Sequence, residues 1–416
     1  MRFDTDIAVL GGGASGLMAA LSAKKAAPHL RVDLFERQPR VGKKLLATGN
    51  GRCNLMNTDP SDDHYHGDLA LLRAVRSVLP PNDLMAIFEK LGVQPHVEYG
   101  GRVFPMSQQA SSVLDVLRLA LSEYGVEEHC GMAVTSIRPA SGGAELRFGD
   151  QVLYARRAIA CFGGAASPQL GGTDGGLRLL TDCGHSAEPF RPALTGLLVD
   201  PRYTRPIKGV RLDANLTVLS RGRPVAQCRD DVIFSDWGLS GLGPMAVSRC
   251  AGEALANGPA EAVLDLLPGL DAPALLTERV RRFPARPAGE VATGLINKKL
   301  AQHILRLSAP RLPFALPGRD VTREALTSFG AMLNGWRLPL TGVAGMEQAQ
   351  VTSGGVLAQC VDPATLRSRV LPALYLAGEV LNLDGECGGY NLYWAFASGL
   401  TAGHCAARAL EGTGIR

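Results

Sequence analysis

The sequence lacks any apolar run of the roughly 18 residues that a membrane-spanning helix requires. Its first residues include Asp4 and Asp6, where a secretory signal peptide would carry an apolar stretch. These two features predict a protein that does not enter the membrane and that stays in the cytoplasm.

Clustered cysteines are also missing. The nine cysteines are scattered and no two of them form a C-x-x-C pair, so the sequence predicts neither a disulfide framework nor a zinc site. The run from Asp62 to His66 contains acids and histidines, but no second pair of ligand residues stands near it. We therefore expect no bound metal, and a solvated loop at 62–66.

A strong excess of one charge is absent as well. The chain has 43 Lys and Arg residues against 39 Asp and Glu residues, a formal net charge of +4. That bias is too small for a dedicated nucleic-acid or membrane-surface protein. A small-molecule substrate is the expected partner, a nucleic acid is not, and the oligomeric state is left open.

Glycine, in contrast, is abundant, with 49 of 416 residues. The first cluster, Gly11 to Gly16, follows the apolar run 7–10 and precedes an Ala-rich segment with helical spacing. An acid, Glu36, ends the next apolar run. A strand, a glycine turn, a helix and a second strand ending in an acid form the Rossmann dinucleotide fingerprint.

Each residue of the fingerprint has a physical reason. Gly11 allows the tight turn, Gly13 lets the backbone reach a diphosphate, and Gly16 lets the helix pack on the strand. Glu36 can accept hydrogen bonds from the ribose hydroxyls and repels a 2′-phosphate, so the turn predicts FAD or NAD rather than NADP. A second junction of strand and glycine occurs at Gly163.

The C-terminal part repeats the pattern. An apolar run leads to Gly378 and Glu379, and Gly389 precedes a helix rich in Ala, Gly and Ser. The N-terminus of that helix would direct its N–H groups at the N1/O2 edge of a flavin. FAD is therefore favoured over NAD, because contacts from both ends of the chain suit the longer cofactor.

The predicted fold class is α/β, a Rossmann-like FAD-binding domain built from both ends of the chain, with an inserted β domain and a helical domain. Residues 1–190 and 345–416 would form the FAD-binding domain. Residues 191–246 and about 336–344 would form the β domain, and 247–335 the helical insert, from the change of residue periodicity along the chain.

Several blocks of the chain are similar to a known group. They include Gly49-Asn50-Gly51-Arg52-Cys53-Asn54, Gly101-Arg102-Val103-Phe104-Pro105 and Gly388-Gly389-Tyr390-Asn391. With these blocks the sequence resembles, over nearly its whole length, the bacterial flavoproteins called BaiN-like or YhiN-like, FAD-binding enzymes of the aminoacetone oxidase family. The resemblance implies one FAD per subunit and a Rossmann-like FAD-binding domain of the two-dinucleotide-binding flavoprotein type, with an inserted β-barrel-like domain and a helical domain.

The resemblance also implies the cofactor contacts. It places the diphosphate on the first glycine turn, the adenosine at Glu36 and at the backbone of Val134, and the ribityl chain near Glu379. The ring would lie at the start of the last helix. The candidate cofactor-binding residues are Gly11, Gly13, Ala14, Ser15, Gly16, Glu36, Arg37, Lys44, Gly51, Arg52, Cys53, Asn54, Val134, Gly163, Gly378, Glu379, Gly389, Tyr390 and Asn391.

The acid/base residue is not evident from the sequence, because hydride transfer by a flavin needs no protein nucleophile. Tyr390 is the candidate proton donor, although packing against the ring is the commoner use of such a residue. Cys387 and Tyr393 depart from the usual family residues, Thr and Gln, which leaves the substrate open. Cys53 and Cys387 could form a redox pair, but a buried structural cysteine is the commoner state.

Three functions remain open. The first is an FAD-dependent oxidoreductase in which the flavin relays hydride, with NAD(P)H as transient reductant and an unidentified small organic substrate. The second is a flavoprotein acting on nucleic acid, because residues 279–323 hold ten Lys or Arg residues against Glu290 and Asp320, a local net charge of +8. A solvated helix face is the simpler explanation of this local charge. The third is a flavin-binding interaction protein without turnover.

Overall fold

The computed structural model describes residues 2–412. Its contacts divide the chain into two compact units. One runs up to Arg191 and resumes at Gln350, and the other is Pro192–Ala349. The predicted β domain and helical insert fall together in the second unit, and their separation into two domains stays a prediction.

The first unit holds the greater number of strands and helices. Its strands are β1 (Thr5–Leu10), β2 (Val32–Glu36), β3 (Met56–Asn57), β4 (Tyr65–Gly67), β5 (Pro95–Val97), β6 (Arg102–Pro105), β7 (Glu127–Cys130), β8 (Ser136–Ala140), β9 (Gly143–Phe148), β10 (Gln151–Ala160), β11 (Ala187–Ala193), β18 (Val351–Val356), β19 (Leu374–Leu376) and β20 (Leu383–Gly385). Its helices are α1 (Ala14–Ala26), α2 (Leu69–Val78), α3 (Pro81–Leu91), α4 (Ala110–Glu123), α5 (Gly175–Asp182) and α11 (Tyr390–Glu411).

A seven-stranded sheet lies at the centre of this unit. Its order is β7-β2-β1-β10-β9-β8, and β19 also pairs with β10. The pairs β7–β2, β2–β1, β1–β10 and β10–β19 are parallel, whereas β8, β9 and β10 form an antiparallel meander. Ile7, Ala8 and Val9 of β1 are fully buried, as expected for a parallel strand that is covered on both faces.

Both ends of the chain contribute to this sheet and its helix layer. Leu376 of β19 pairs with Ala160, which in turn pairs with Leu10 of β1. Helix α11 packs directly on α1, because Gly399 and Gly403 lie against the backbone of Ser15 and Ala19. The carboxyl ends of β1, β10 and β19 therefore open at one edge of the sheet, beside the start of α1.

The second unit combines a barrel with helices. Its strands are β12 (Leu197–Val199), β13 (Arg211–Ser220), β14 (Arg223–Phe234), β15 (Gly238–Ser240), β16 (Ala260–Asp265) and β17 (Trp336–Val343), and its helices are α6 (Pro201–Thr204), α7 (Leu242–Ala256), α8 (Ala272–Arg282), α9 (Lys298–Ser308) and α10 (Arg323–Asn334). The strands close into a barrel in the order β12-β15-β14-β13-β16-β17. Strand β16 lies inside the segment 247–335 that was predicted to be helical. The expected α/β class with an inserted barrel and helices is confirmed.

Across residues 2–412, no helix combines the length and the apolar character that crossing a lipid bilayer demands.

Candidate functional site

The turn between β1 and α1 is shaped by glycines. Gly11 has a φ of 110°, and a side chain there would overlap the Cys161 carbonyl oxygen. A side chain at Gly16 would overlap the carbonyl oxygen of Gly11. At Gly13 a Cβ atom would have no neighbour within 4 Å. The turn is closed towards the sheet and open at Gly13, where the first N–H groups of α1 have no intrahelical partner.

The first turn of α1 meets residues from the far end of the chain. Ala14 and Ser15 begin the helix, and a Cβ atom at Gly378 would lie 2.6 Å from Ser15 Oγ. The Gly378 N–H donates to Ser398 Oγ at 2.9 Å, and Trp394 Nε1 donates to the Gly378 carbonyl at 3.1 Å. Three candidate residues, Ala14, Ser15 and Gly378, are thus brought together.

Glu36 is held at the end of β2 by two backbone donors. Its Oε2 accepts from the Gly12 N–H at 2.8 Å, and its Oε1 accepts from the Gln38 N–H at 2.7 Å. A carboxylate can accept about four hydrogen bonds, so Glu36 retains capacity for the hydroxyls of a ribose. Arg37, the next residue, donates to the Gly171 carbonyl.

Glu379 is surrounded by donors. Its Oε2 accepts from Lys44 Nζ at 3.0 Å and from the Gly164 N–H at 3.1 Å. Its Oε1 accepts from the Thr352 N–H at 2.8 Å and the Thr352 hydroxyl at 3.0 Å. Burial raises the pKa of Glu379, but the Lys44 ammonium and the Thr352 donors outweigh burial and hold this pKa below its usual value. Gly163, with a φ of 68°, adjoins this carboxylate.

In the glycine-rich segment after β2, the Arg52 side chain is bound to other residues of the protein. Gly51 has a φ of 83°. Arg52 lies over the Phe104 ring at 4.0 Å, and its Nη1 donates to Gln108 at 2.9 Å and to Glu98 at 3.2 Å. Arg52 is therefore fixed within this unit, and a contact with phosphates stays a prediction.

Two candidate residues have unpaired polar atoms. Asn54 Oδ1 is buried without a hydrogen-bond partner. The backbone N–H and C=O of Val134 also have no partner within residues 2–412. Val134 lies next to the end of β2, because the nearby Met132 N–H donates to the Glu36 carbonyl at 2.9 Å. Buried polar groups are normally satisfied, so the buried Asn54 Oδ1 fits a ligand that donates a hydrogen bond, as FAD can.

Helix α11 begins against the same segment. Gly389, with a φ of 106°, precedes it, and a Cβ atom there would lie 2.8 Å from Asn54 Oδ1. Asn391 Oδ1 accepts from the Gly385 N–H at 2.8 Å, and its Nδ2 donates to the Gly385 carbonyl at 2.6 Å. The candidate residues Asn54, Gly389, Tyr390 and Asn391 are therefore neighbours, and Asn391 fixes the entry to the helix.

Tyr390 is buried at the start of α11. Burial, and next the Asp59 and Glu386 carboxylates, raise the pKa of Tyr390 to about 12. Its phenol keeps its proton at neutral pH and is available as a donor.

His64 is a neighbour that the sequence analysis missed. Residues 62–66 were predicted to be a solvated loop, but the structure has a 3₁₀ turn at Asp62–His64 followed by β4, with Tyr65 buried. The His64 ring stacks on Tyr390, with ring centroids 4.4 Å apart and planes inclined by 18°. The two residues are far apart in sequence, and no local sequence pattern indicates that they are in contact.

The cysteines of the described residues are all free thiols. Cys53 is buried, and burial raises the pKa of its thiol to about 12. Since the thiolate is the redox-active form, this argues against the redox role that was considered for Cys53. Tyr393, the other departure from the family pattern, is buried and donates its hydroxyl to the Leu79 carbonyl at 2.7 Å.

One group of metal-ligand residue types occurs within residues 2–412. Atoms of Asp33, Glu127 and His129 lie within 4.8 Å of one another. Arg31 already bonds to both carboxylates, at 3.0 Å to Asp33 and 3.4 Å to Glu127. The group is an ion-pair network, and the expectation that the protein binds no metal stays a prediction.

The basic stretch at 279–323 lies in the second unit. Part of its charge has a local structural use: Arg279 donates to the Val291 and Thr293 carbonyls at 2.7 and 2.6 Å, and Arg286 lies 4.2 Å from the Phe283 ring centre. Other members are exposed at the surface, namely Lys299, Arg311 and Arg323.

Comparisons with known proteins identify relatives along the whole chain. The family profile described as HI0933-like protein Rossmann domain matches residues 5–405. A 3-dehydro-bile acid delta(4,6)-reductase from Clostridium scindens is 34% identical over 406 residues, which cover 96% of this chain and 98% of that protein. A ribosomal RNA dihydrouridine synthase from Escherichia coli is 26% identical, with 95% of this chain and 96% of that protein covered.

Solved structures with the same fold include oxidoreductases of other families. A chain of E. coli quinol fumarate reductase aligns with a TM-score of 0.52 and 16% identity, covering 100% of this chain and 72% of that one. A 3-ketosteroid delta1-dehydrogenase from Sterolibacterium denitrificans aligns with a TM-score of 0.50 and 15% identity, covering 97% and 99%. At such identities the likeness concerns the fold alone.

Proposed function

The chain belongs to the family of HI0933-like proteins with a Rossmann domain and is an FAD-dependent oxidoreductase; within that class we propose that it reduces a carbon–carbon double bond conjugated to a carbonyl group. The observation that carries the proposal is the 34% identity to a 3-dehydro-bile acid delta(4,6)-reductase. A 3-dehydro group is a ketone, and the double bond at position 4 is conjugated with it. Dihydrouridine, in the name of the more distant relatives, is uridine saturated at a double bond beside a carbonyl.

FAD, when bound, supplies a hydride to the electron-poor carbon of such a double bond. The open turn at Gly13 and the free N–H groups of Ala14, Ser15 and Gly16 would hold its diphosphate. Glu36 and the unpaired backbone groups of Val134 would bind the adenosine.

The other end of the cofactor would meet the second cluster of candidate residues. Asn54 Oδ1, which has no partner of its own, would accept from an N–H group of the ring, and the N-terminus of α11 would stabilise negative charge there. Lys44 and Glu379 would face the ribityl part, with Gly163 and Gly378 leaving room for it. Roles for Arg37, Gly51, Arg52 and Cys53 rest on the family resemblance alone.

Tyr390 is the candidate proton donor. Saturation of the double bond takes a hydride at one carbon and a proton at the carbon next to the carbonyl. Tyr390 holds a proton at neutral pH, because its pKa is about 12, and it lies at the helix end proposed for the ring. Its phenol would give that proton and recover one from solvent.

NADH or NADPH is the proposed transient reductant, and a small organic molecule the proposed substrate. The test is anaerobic: purified protein with FAD is mixed with NADH or NADPH, and then with a 3-oxo-4,6-diene steroid acid, while the flavin absorbance is followed. We expect the flavin absorbance to bleach when NADH or NADPH is added and to recover when the steroid is added. The steroid product should carry two more hydrogens than the substrate. Failure to show a flavin spectrum after addition of FAD would refute the cofactor. Recovery with oxygen but not with the steroid would refute the substrate class.

Reduction of uridine in RNA is the second candidate. Two relatives carry that name, at 24% and 26% identity, and Lys299, Arg311 and Arg323 offer exposed positive charge for phosphates. A gel shift with RNA and DNA at low salt discriminates, because absence of binding removes this candidate. The non-catalytic alternative is removed by turnover in the anaerobic test.

A cytoplasmic location is proposed as well. All nine cysteines are free thiols, which suits a reducing compartment.

A further inference from the structure

His64 is tied by both ring nitrogens to carboxylates. Its Nδ1 lies 3.0 Å from Glu386 Oε2 and its Nε2 lies 3.0 Å from Asp59 Oδ2. A neutral imidazole has one N–H and can donate to only one carboxylate, whereas the imidazolium donates to both. The arrangement therefore matches a charged His64. The cofactor contacts proposed above make no use of it.

The same ring fixes the position of Tyr390. His64 stacks face to face on Tyr390 at 4.4 Å, and a cation over an aromatic face is attracted to it. Tyr65 packs edge-on against Tyr390 at 5.4 Å, and its hydroxyl donates to the Tyr390 carbonyl at 3.4 Å. Tyr390 is thus held by His64 and Tyr65 at the first residue of α11.

We propose that His64 is a positioning residue of the reducing site: as an imidazolium clamped by Asp59 and Glu386, it holds Tyr390 in place to deliver a proton to the substrate. Loss of the His64 proton removes one of the two hydrogen bonds and leaves two carboxylates around a neutral ring. Tyr390 is then released, and proton delivery slows. This inference rests on the proposed function.

The charged groups around His64 favour its protonated form. Asp59 precedes the 3₁₀ turn and Glu386 follows β20, and both bond to the ring. Burial lowers the pKa of His64, but the hydrogen bonds and charges of Glu386 and Asp59 outweigh it, so that the pKa is raised above 6.5.

Two further charged sites border the cluster. Asp62, in the same turn as His64, is paired with Arg73 and Arg76 of α2. The positive charge of Arg102 in β6 lowers the pKa of Tyr390 and partly offsets the effect of the Asp59 and Glu386 carboxylates. Neither site bonds to the His64 ring, so Asp59 and Glu386 decide its charge.

The kinetic test compares His64→Gln, His64→Arg and, as a matched control, the exposed histidine variant His404→Gln. FAD-loaded protein is reduced with dithionite and mixed with the 3-oxo-4,6-diene steroid acid between pH about 6 and about 10, a range that brackets the histidine titration. The rate of flavin reoxidation is recorded, together with the Kd for FAD.

We expect the wild-type protein and His404→Gln to lose rate on the alkaline side with a single deprotonation. His64→Gln should be slower by about tenfold or more near neutral pH, the range typical for loss of acid catalysis, and should lack that alkaline loss. His64→Arg keeps a planar cation and should recover most of the rate, without the alkaline loss. A His64→Gln protein with the wild-type rate and pH profile would overturn the proposal.

A second measurement needs no substrate. In holoprotein labelled with ¹³C at histidine Cε1, the His64 resonance should titrate above the usual histidine range, and Glu386→Gln should lower its pKa. Titration at or below the usual value would overturn the clamp. If the wild-type protein fails to reduce the steroid, the proposed function is wrong, and this titration still decides whether His64 is held as an imidazolium.

Discussion

A side chain at Gly399 would overlap the carbonyl oxygen of Ser15, so that α11 and α1 are in direct backbone contact. The contact recurs one turn later, between Gly403 and Ala19. Because Ser15 belongs to the first turn of α1 and Tyr390 begins α11, this helix pair holds the two halves of the candidate cofactor site in one rigid arrangement.

The first prediction concerns this helix contact. Gly399→Ala should lower the free energy of unfolding by about 1–3 kcal/mol, because the added methyl group meets backbone that cannot rotate away. The control is Gly252→Ala in α7, where the new Cβ atom would lie 3.8 Å from a Val343 methyl group. This substitution should leave the free energy of unfolding unchanged or raise it by up to about 1 kcal/mol. Urea unfolding of the FAD-loaded proteins measures both. Equal midpoints for the two variants would contradict the close contact.

The second prediction separates cofactor binding from folding within one turn. Gly13→Ala should leave the stability of the apoprotein unchanged, because its Cβ atom meets nothing within 4 Å, yet weaken FAD binding by about tenfold, or roughly 1.4 kcal/mol. Gly16→Ala should destabilise the apoprotein, since its side chain would overlap the Gly11 carbonyl oxygen. Flavin titration and apoprotein Tm check the pair. An unchanged Kd for Gly13→Ala would remove Gly13 from the site.

The third prediction concerns the charge of Glu379. Glu379→Gln places an amide NH₂ among the donors of Lys44, Gly164 and Thr352. The substitution should lower the free energy of unfolding by about 1–3 kcal/mol at neutral pH. The folded-state pKa is depressed, so the stabilisation is present above the unfolded pKa of about 4.3 and is lost as the pH falls through the lower folded value.

Unfolding at several pH values tests this prediction. The difference in the free energy of unfolding between wild type and Glu379→Gln should become smaller at acidic pH. Glu278→Gln, which removes an exposed pair with Arg281, serves as the control and should leave the free energy of unfolding almost unchanged, because solvent screens the pair. A gap that is independent of pH would show that the carboxylate is not held in its charged form.

The fourth prediction concerns the thiols. Cys53 is buried with a pKa raised to about 12, so native protein at mildly alkaline pH should not be alkylated there by iodoacetamide, whereas the exposed Cys130 should react. Peptide mass spectrometry before and after denaturation measures the labelling. Cys53→Ser and Cys387→Ser should each keep NAD(P)H-driven turnover; loss of turnover with FAD still bound would restore the redox hypothesis.

How far the sequence predicts this protein depends on the range of the interactions. The turn at Gly11, Gly13 and Gly16 was predicted together with its steric reasons, because a fingerprint is a local pattern set by backbone sterics. The inserted barrel was expected, but β16 was missed. Its pairing partners, β13 and β17, lie elsewhere in the chain, and the surrounding segment is otherwise helical.

Local order thus determined the α/β class, the glycine turns and the position of Glu36, since each depends on neighbours along the chain. Only the tertiary structure decided that Lys44 and Thr352 surround Glu379, and that His64 lies on Tyr390 between Asp59 and Glu386. The contacts of Lys44 with Glu379 and of His64 with Glu386 join segments more than 300 positions apart. The free energy that selects them comes from burial and charge pairing in the folded chain, which no short stretch of residues contains.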